Sequence, residues 1–352
     1  MAFDPLKDIP DLDGKVILVT GGESPSYSPQ ICSEKFVSKL KTPHTGNTGL
    51  GAATIKFLAR RNPSHIYLCA RPVSVPQGEA LAAKLQTAFP GVDIRVRPLD
   101  LASLASVEEF AAGFLDEAER LDLLFLNAGI STTAPALTVN GYESQFGVNY
   151  VGHALLTQLL MPKLLATAAL GKNTNEGKIG ERGRGNDVRV LVTSSYAAYL
   201  APPPTGLALD AMRQADALAS PYGRYAHSKL ANVLFARRLA QTYPGVLTIA
   251  FNPGQVKTDL FRKATGINWW FLMTVGMLFM HLTGISVDKG AENGLWAAFA
   301  DPAALRNGAY YEPVGVLEDS KQFITDQALA DELWDWTNRE LERHGAPGWP
   351  ET

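Results

Sequence analysis

KVILVTG, running from Lys15 to Gly21, is an apolar and largely β-branched stretch closed by glycine. A short apolar run of this kind reads as a strand buried on both faces. The pattern recurs at His65–Ala70, Val92–Leu99, Leu121–Leu126, Val188–Thr193 and Leu247–Phe251. Helical stretches lie between: Ala52 to about Arg61, Ala80–Phe89, Ser103–Glu119 and Ser144–Leu170. In the third, Leu104, Val107, Phe110, Ala111 and Phe114 form one inner stripe. Strands alternating with helices of this length predict an α/β fold, a parallel sheet covered on both faces. No second regime of composition interrupts the chain, so a single domain is expected. Lys172–Asn186, rich in Gly, Lys and Asn, reads as a solvated loop. Further on, Lys289–Ala300 predicts a helix and Gly308–Tyr311 a last short strand. Ala328–Arg343 predicts an amphipathic helix capping the core with Leu333, Trp334, Trp336 and Leu341.

The totals narrow the function. The chain has 352 residues, 46% of them hydrophobic, which is enough for a substantial core. A net charge of −3 argues against a dedicated nucleic-acid binder. Two cysteines, Cys32 and Cys69, make no disulfide framework, and a reducing compartment fits. The six histidines do not cluster at metal-ligand spacing, so no metal is expected. Met1–Gly14 has no apolar run and is not a secretory signal, so a cytoplasmic place is expected, with the cytosolic face of an internal membrane as the alternative.

Ligands of such sheets bind beyond the carboxyl ends of the strands. Thr20–Gly21, Arg71, Asp100, Asn127, Ser195 and Asn252–Pro253–Gly254 all stand there. The helix opening at Pro221 adds Tyr225 and Lys229, four apart and so on one face. A phenol with a pKa near ~10 is a poor proton carrier at neutral pH. A nearby ammonium is expected to lower that pKa, letting the phenol exchange a proton with a carbonyl or alcohol oxygen. A bare tyrosine–lysine pair at this spacing is weak evidence; its setting strengthens it.

Together these residues resemble the short-chain dehydrogenase/reductase family, in the branch of the retinol dehydrogenases and their fungal relatives. The resemblance runs from about Lys15 to Glu312. It rests on Thr20–Gly21 with Gly49–Leu50–Gly51, L-N-A-G at Leu126–Gly129, Asn149 in N-Y-V-G, V-T-S-S-Y at Val192–Tyr196, Y-A-H-S-K at Tyr225–Lys229 and N-P-G-Q-V-K-T at Asn252–Thr258. It implies a Rossmann-like doubly wound parallel sheet. It also implies that Tyr225 is the acid–base residue and that Lys229 tunes it and holds the nicotinamide ribose. Ser195 would bond the substrate oxygen, and Asn149 would anchor the water of a proton relay through Lys229. Thr20, Gly21, Gly49, Leu50, Gly51, Asn127, Tyr225 and Lys229 would line the cofactor. Val256 and Thr258 would face the carboxamide, and Asp100 the adenine. Asp100 also reads as a helix N-cap, and Asn127 as a turn residue.

Twenty residues beyond Gly51 stands Arg71, where such folds read the adenosine ribose. Guanidinium there pairs with a 2′-phosphate, so NADP(H) is favoured, the plain alternative being an exposed arginine. The glycine turn is broken by Glu23–Gly46; joining Gly22 to Asn47 restores it. Codons for Gly22–Ser24 and Thr45–Gly46 can carry splice signals, so a retained intron is one origin, and impaired cofactor binding is expected if the segment is translated. Residues 259–287 are expected to form an apolar lid, and Ala264–Val287 has no Asp, Glu, Lys or Arg. The stretch suits a lipophilic substrate and peripheral contact with a membrane; a spanning helix is the weaker alternative. The expected activity is NADP(H)-dependent hydride transfer to or from a ketone, aldehyde or alcohol of a lipophilic small molecule. A non-catalytic dinucleotide sensor or scaffold is the alternative. Family members often dimerise, so a homodimer is implied.

Overall fold

The computed structural model describes residues 3–21, 49–170, 187–200, 206–218, 220–256 and 284–351. Glu23–Gly46, the loop 172–186, Thr258 and the apolar stretch up to residue 283 lie outside them. In chain order the elements are α1 (Pro5–Asp8), β1 (Val16–Thr20), α2 (Leu50–Ala59), β2 (His65–Ala70), α3 (Val75–Ala88), β3 (Asp93–Pro98), α4 (Leu104–Glu117) and β4 (Leu123–Leu126). There follow α5 (Ser144–Phe146), α6 (Gly152–Leu170), β5 (Arg189–Thr193), α7 (Ala197–Leu200), α8 (Pro221–Thr242), β6 (Leu247–Phe251), α9 (Val287–Phe299), β7 (Tyr310–Glu312), β8 (Val316–Leu317) and α10 (Gln327–Arg343).

The strands form one sheet in the order β3-β2-β1-β4-β5-β6-β7-β8. Every pairing from β3 to β7 is parallel, and β8 is antiparallel to β7. Side chains alternate between faces along each strand. Ile17 and Val19 therefore enter a core with Ile55, Leu58, Leu123, Phe125, Leu191, Ile249 and Leu295. Leu18 and Leu124 enter another, with Val107, Phe110, Leu155, Leu160, Leu234 and Trp336. Helices α2, α3 and α9 supply the first core; α4, α6, α8 and α10 the second. The continuous run Ser144–Leu170 is long and apolar enough to cross a membrane, but 56% of its most apolar window is buried inside the fold. It packs on α4 as a core helix does.

Three elements depart from expectation. Helix α3 starts at Val75, ahead of Ala80, because Pro76 sits in the first turn, where proline is tolerated. Gly78 belongs in it as well: a Cβ there would meet Val96 Cγ1 at 2.9 Å and Leu68 Cδ2 at 3.1 Å. The last strand is followed by β8, two exposed residues without an apolar run to announce them. The helix expected from Ser144 contains a π-turn, Gly147–Val151, before α6 begins.

Candidate active site

Strands β1 and β4 are neighbours whose successors run to opposite edges, so a crevice opens between their carboxyl ends. Gly21 turns there with φ +69°, and a Cβ on it would come within 2.8 Å of Ala128 Cα. The Thr20 hydroxyl accepts the amides of Asn127 at 2.9 Å and Ala128 at 3.0 Å. Asn127 Nδ2 donates to the carbonyls of Thr20 (2.9 Å) and Gly21 (3.2 Å), so this side chain clasps the two strand ends together. Gly49 is the N-cap of α2 and offers no side-chain cap; Leu50 and the buried Gly51 form its first turn. Uncapped first-turn amides suit an anion.

Arg71 follows β2 and precedes the short 3-10 turn at Pro72–Ser74. Its Nη2 is buried with no hydrogen-bond partner among the described residues. Asp100 follows β3 and accepts the Ala102 amide at 2.9 Å. The N-cap of α4 is Ser103, so the reading of Asp100 as that cap does not hold: the chain makes a further turn before the helix starts.

Ser220 caps α8 and Pro221 opens it. Tyr225 and Lys229 follow one turn apart, only 7% and 4% exposed. Lys229 Nζ lies over the phenol ring, 5.7 Å from its centroid, and donates to the Thr193 carbonyl at 3.0 Å. Ser195 lies beside the Tyr225 phenol, where its hydroxyl favours the ionised form. Ser194 is engaged elsewhere, its Oγ donating to the Lys229 carbonyl at 2.8 Å. The electrostatics differ from the expected lowering. Burial pushes Tyr225 up to about 12, with the neighbouring Ser195 hydroxyl opposing, and burial pulls Lys229 down to about 8. The reason is placement: the ammonium addresses the ring face and a carbonyl, and desolvation dominates at the phenol oxygen.

Asn149 lies in the π-turn and is fully buried. Its Nδ2 donates to the Ile130 carbonyl and the Ser228 hydroxyl, both at 2.9 Å, and its Oδ1 accepts the Ile130 amide at 2.8 Å. Gly129 passes close by: a Cβ there would stand 3.2 Å from Asn149 Oδ1 and 3.5 Å from Lys229 Nζ. Val256 turns its side chain onto Gly290 of α9, where a Cβ would come within 2.3 Å of it. The uncapped α2 and the orphan nitrogen of Arg71, both at the carboxyl ends of the strands, fit the anionic groups of a nicotinamide dinucleotide.

Sequence reasoning missed several groups of this region. Glu143 and Arg224 form a buried ion pair, 3.2 Å apart, directly before Tyr225. Glu312 accepts hydrogen bonds from Tyr199 (3.1 Å), Tyr310 (3.0 Å) and Asn252 (2.7 Å), tying β7 to the Asn252–Gly254 turn. Tyr222 packs its ring 6.4 Å from that of Tyr225, with Tyr196 close by. Apart from Tyr310 with Glu312 and Tyr222 with Tyr225, these partners lie far apart in sequence, so no local pattern could announce them. His153 also went unmarked, although it stands four residues after Asn149, a helical spacing that could have found it.

The profile of the short chain dehydrogenase family matches residues 44–179. A short-chain dehydrogenase/reductase of Armillaria gallica is 32% identical, covering 94% of this chain and 91% of its own length. Human retinol dehydrogenase 11 is 31% identical over 92% of this chain and 85% of its own. Among solved structures, an uncharacterized protein from Mycobacterium paratuberculosis superposes with a TM-score of 0.65 at 25% identity, covering 97% of this chain and 98% of its own. Carbonyl reductase from chicken fatty liver shares the fold at TM-score 0.57 and 20% identity, over 87% of this chain and 99% of its own. With near-complete coverage by relatives above 30% identity, this chain belongs to the short-chain dehydrogenase/reductase family and is an oxidoreductase that works with a nicotinamide dinucleotide.

Proposed function

We propose that the protein is an NADP(H)-dependent oxidoreductase acting on a ketone, aldehyde or alcohol of a lipophilic small molecule. The observation that carries this reading is the buried Tyr225 phenol, beside Ser195 and with Lys229 over its ring, at the carboxyl end of β5. The dinucleotide, when bound, supplies or accepts a hydride. Tyr225, kept protonated by its pKa of about 12, gives its proton to the carbonyl oxygen in reduction. Ser195, standing beside the phenol, orients that oxygen. Lys229, with a pKa of about 8, retains most of its charge at neutral pH and favours the phenolate left behind. Arg71 selects the 2′-phosphate through its orphan nitrogen. Asp100 is assigned to the adenine, Asn127 to the cofactor loop and Val256 to the carboxamide side, Thr258 lying outside the described residues.

The lipophilic substrate is supported by the uncharged stretch 264–287 and by the aromatic wall of Tyr196, Tyr199 and Tyr222. The name of the human relative, a retinol dehydrogenase, points the same way. We assign Glu23–Gly46 as an insertion that weakens the nucleotide turn. The family match begins at residue 44, just before Asn47, which supports that reading. The test is NADPH oxidation against a panel of lipophilic ketones and aldehydes, with the full chain and a version lacking Glu23–Gly46. Turnover with tighter NADPH binding in the shortened chain is expected. Absence of turnover in both, with NADPH still bound, favours the sensor or scaffold; equal affinity in both refutes the insertion reading.

A further inference from the structure

We infer that His153 is a positioning residue that ties the Asn149 main-chain carbonyl to the Thr20 hydroxyl, setting the proton relay and the nucleotide turn in one register. The inference rests on the functional reading above. His153 is 3% exposed, and both ring nitrogens have partners: Nδ1 lies 3.0 Å from the Asn149 carbonyl and Nε2 lies 2.9 Å from Thr20 Oγ1. Burial holds its pKa near 4, so the ring is neutral and carries one proton. A carbonyl oxygen can only accept, which places that proton on Nδ1. Nε2 is then an acceptor, and the Thr20 hydroxyl donates to it. The single Thr20 proton has two acceptors in reach, Nε2 at 2.9 Å and the Phe125 carbonyl at 3.3 Å, and the nearer one takes it; the Thr20 oxygen meanwhile receives the amides of Asn127 and Ala128.

The arrangement has a directional logic. The Asn149 side chain is committed to Ile130 and Ser228 at both ends, so its main-chain carbonyl is the group left to serve Lys229. That carbonyl belongs to a π-turn, where the regular helical ladder is interrupted and a side-chain donor can take its place. Imidazole supplies that donor. Its far side reaches Thr20, which in turn holds the β4 loop against β1. Lys229 is close enough for its charge to disfavour protonation of His153. One rigid ring thus spans the two halves of the site.

The two bonds can be cut separately. His153→Asn keeps an amide donor where Nδ1 stands and loses the reach to Thr20. His153→Gln keeps an acceptor where Nε2 stands and loses the donor to Asn149. NADPH affinity is read by fluorescence titration, and kcat with the best carbonyl of the panel. His153→Asn is expected to weaken NADPH binding about tenfold with kcat within about twofold of wild type. His153→Gln is expected to do the reverse, lowering kcat about tenfold with little change in affinity. Equal losses of both quantities in both variants, or no loss in either, overturn the assignment. Wild-type protein that binds no NADPH overturns the functional reading and this one together; wild-type protein that turns over while the variants fail to split overturns this one alone.

Discussion

The two ends of the sheet treat charge in opposite ways. At the amino ends of the strands, charges are paired to saturation. The Asp122 carboxylate, 1% exposed, takes Lys15 Nζ (2.9 Å), the Val16 amide (3.0 Å) and Arg120 through two nitrogens (2.8 and 2.7 Å). Arg189, fully buried, pairs with Asp187 and donates to the carbonyls of Ala297 (2.7 Å) and Ala300 (2.8 Å), clamping β5 to the end of α9. At the carboxyl ends, polar groups keep unused capacity: Arg71 Nη2, Ser131 Oγ, Thr132 Oγ1 and Thr193 Oγ1 are buried without partners among the described residues. The backbone is tense there as well, with φ of +51° at Thr132. An orphaned buried polar group is costly, so its retention marks a place kept for a ligand. Orphaned atoms also occur away from the crevice, at Gln158, Thr248 and His344, so it is their gathering at the carboxyl ends, with Arg71 among them, that sets this end apart.

The largest test of that division is Tyr225→Phe. It should lower kcat about 10³-fold, the scale of general acid–base catalysis, while NADPH affinity and melting temperature hold. A comparable loss of stability would place Tyr225 with the fold-holding groups and break the contrast. Asp122→Ala is the mirror experiment. It should lower stability by about 3 kcal/mol, read by urea unfolding, because Lys15 and Arg120 lose their counter-charge. Its KM for NADPH should not move; a shift would show that the two ends are coupled. Arg71→Ala should weaken NADPH about 30-fold and leave NADH binding unchanged, since only one of the two carries the 2′-phosphate. Equal losses for both nucleotides would make Arg71 a general anchor.

A further effect is in pH. His153 and His227, both near the site, have pKa values held at about 4 by burial, below the unfolded 6.5. The unfolded chain therefore binds more protons between those values, and stability falls as pH drops from 6.5 to 4. Each histidine contributes at most about 1.4 kcal/mol per pH unit. His227→Gln preserves an acceptor for the Ala208 amide, bonded now to Nε2 at 2.9 Å, and should flatten the fall in melting temperature across that range. An unchanged slope would show that acid acts elsewhere in the molecule.

The strands β1, β2, β4, β5 and β6 were legible because they are buried on both faces and read as apolar runs, whereas the edge strand β3 alternates Ile94 and Val96 with Asp93, Arg95 and Arg97. The carboxyl-end residues were legible for the same reason: once the runs are parallel, their last residues share an edge. What could not be read depends on distance through space. The Glu143–Arg224 pair and the Glu312 hub join elements far apart in sequence. The direction of the Tyr225 shift was also hidden. Four-residue spacing gives proximity to Lys229, but the sign depends on burial and on which atom the ammonium faces. The start of α3 was misjudged because Pro76 and Gly78 look like breakers until Val96 and Leu68 are seen pressing on the glycine.

The π-turn at Gly147–Val151 has a geometric result beyond the carbonyl it frees. One surplus residue in a helix advances every later side chain by about 100° around the axis. Asn149 thus points toward Ser228 while the remaining length of α6 keeps its apolar stripe on the core. The bulge acts as a phase shifter, reconciling two faces that an unbroken helix would hold at the wrong angle. Removing a single residue there would swing Leu155, Leu160 and Leu164 off the core while touching none of them.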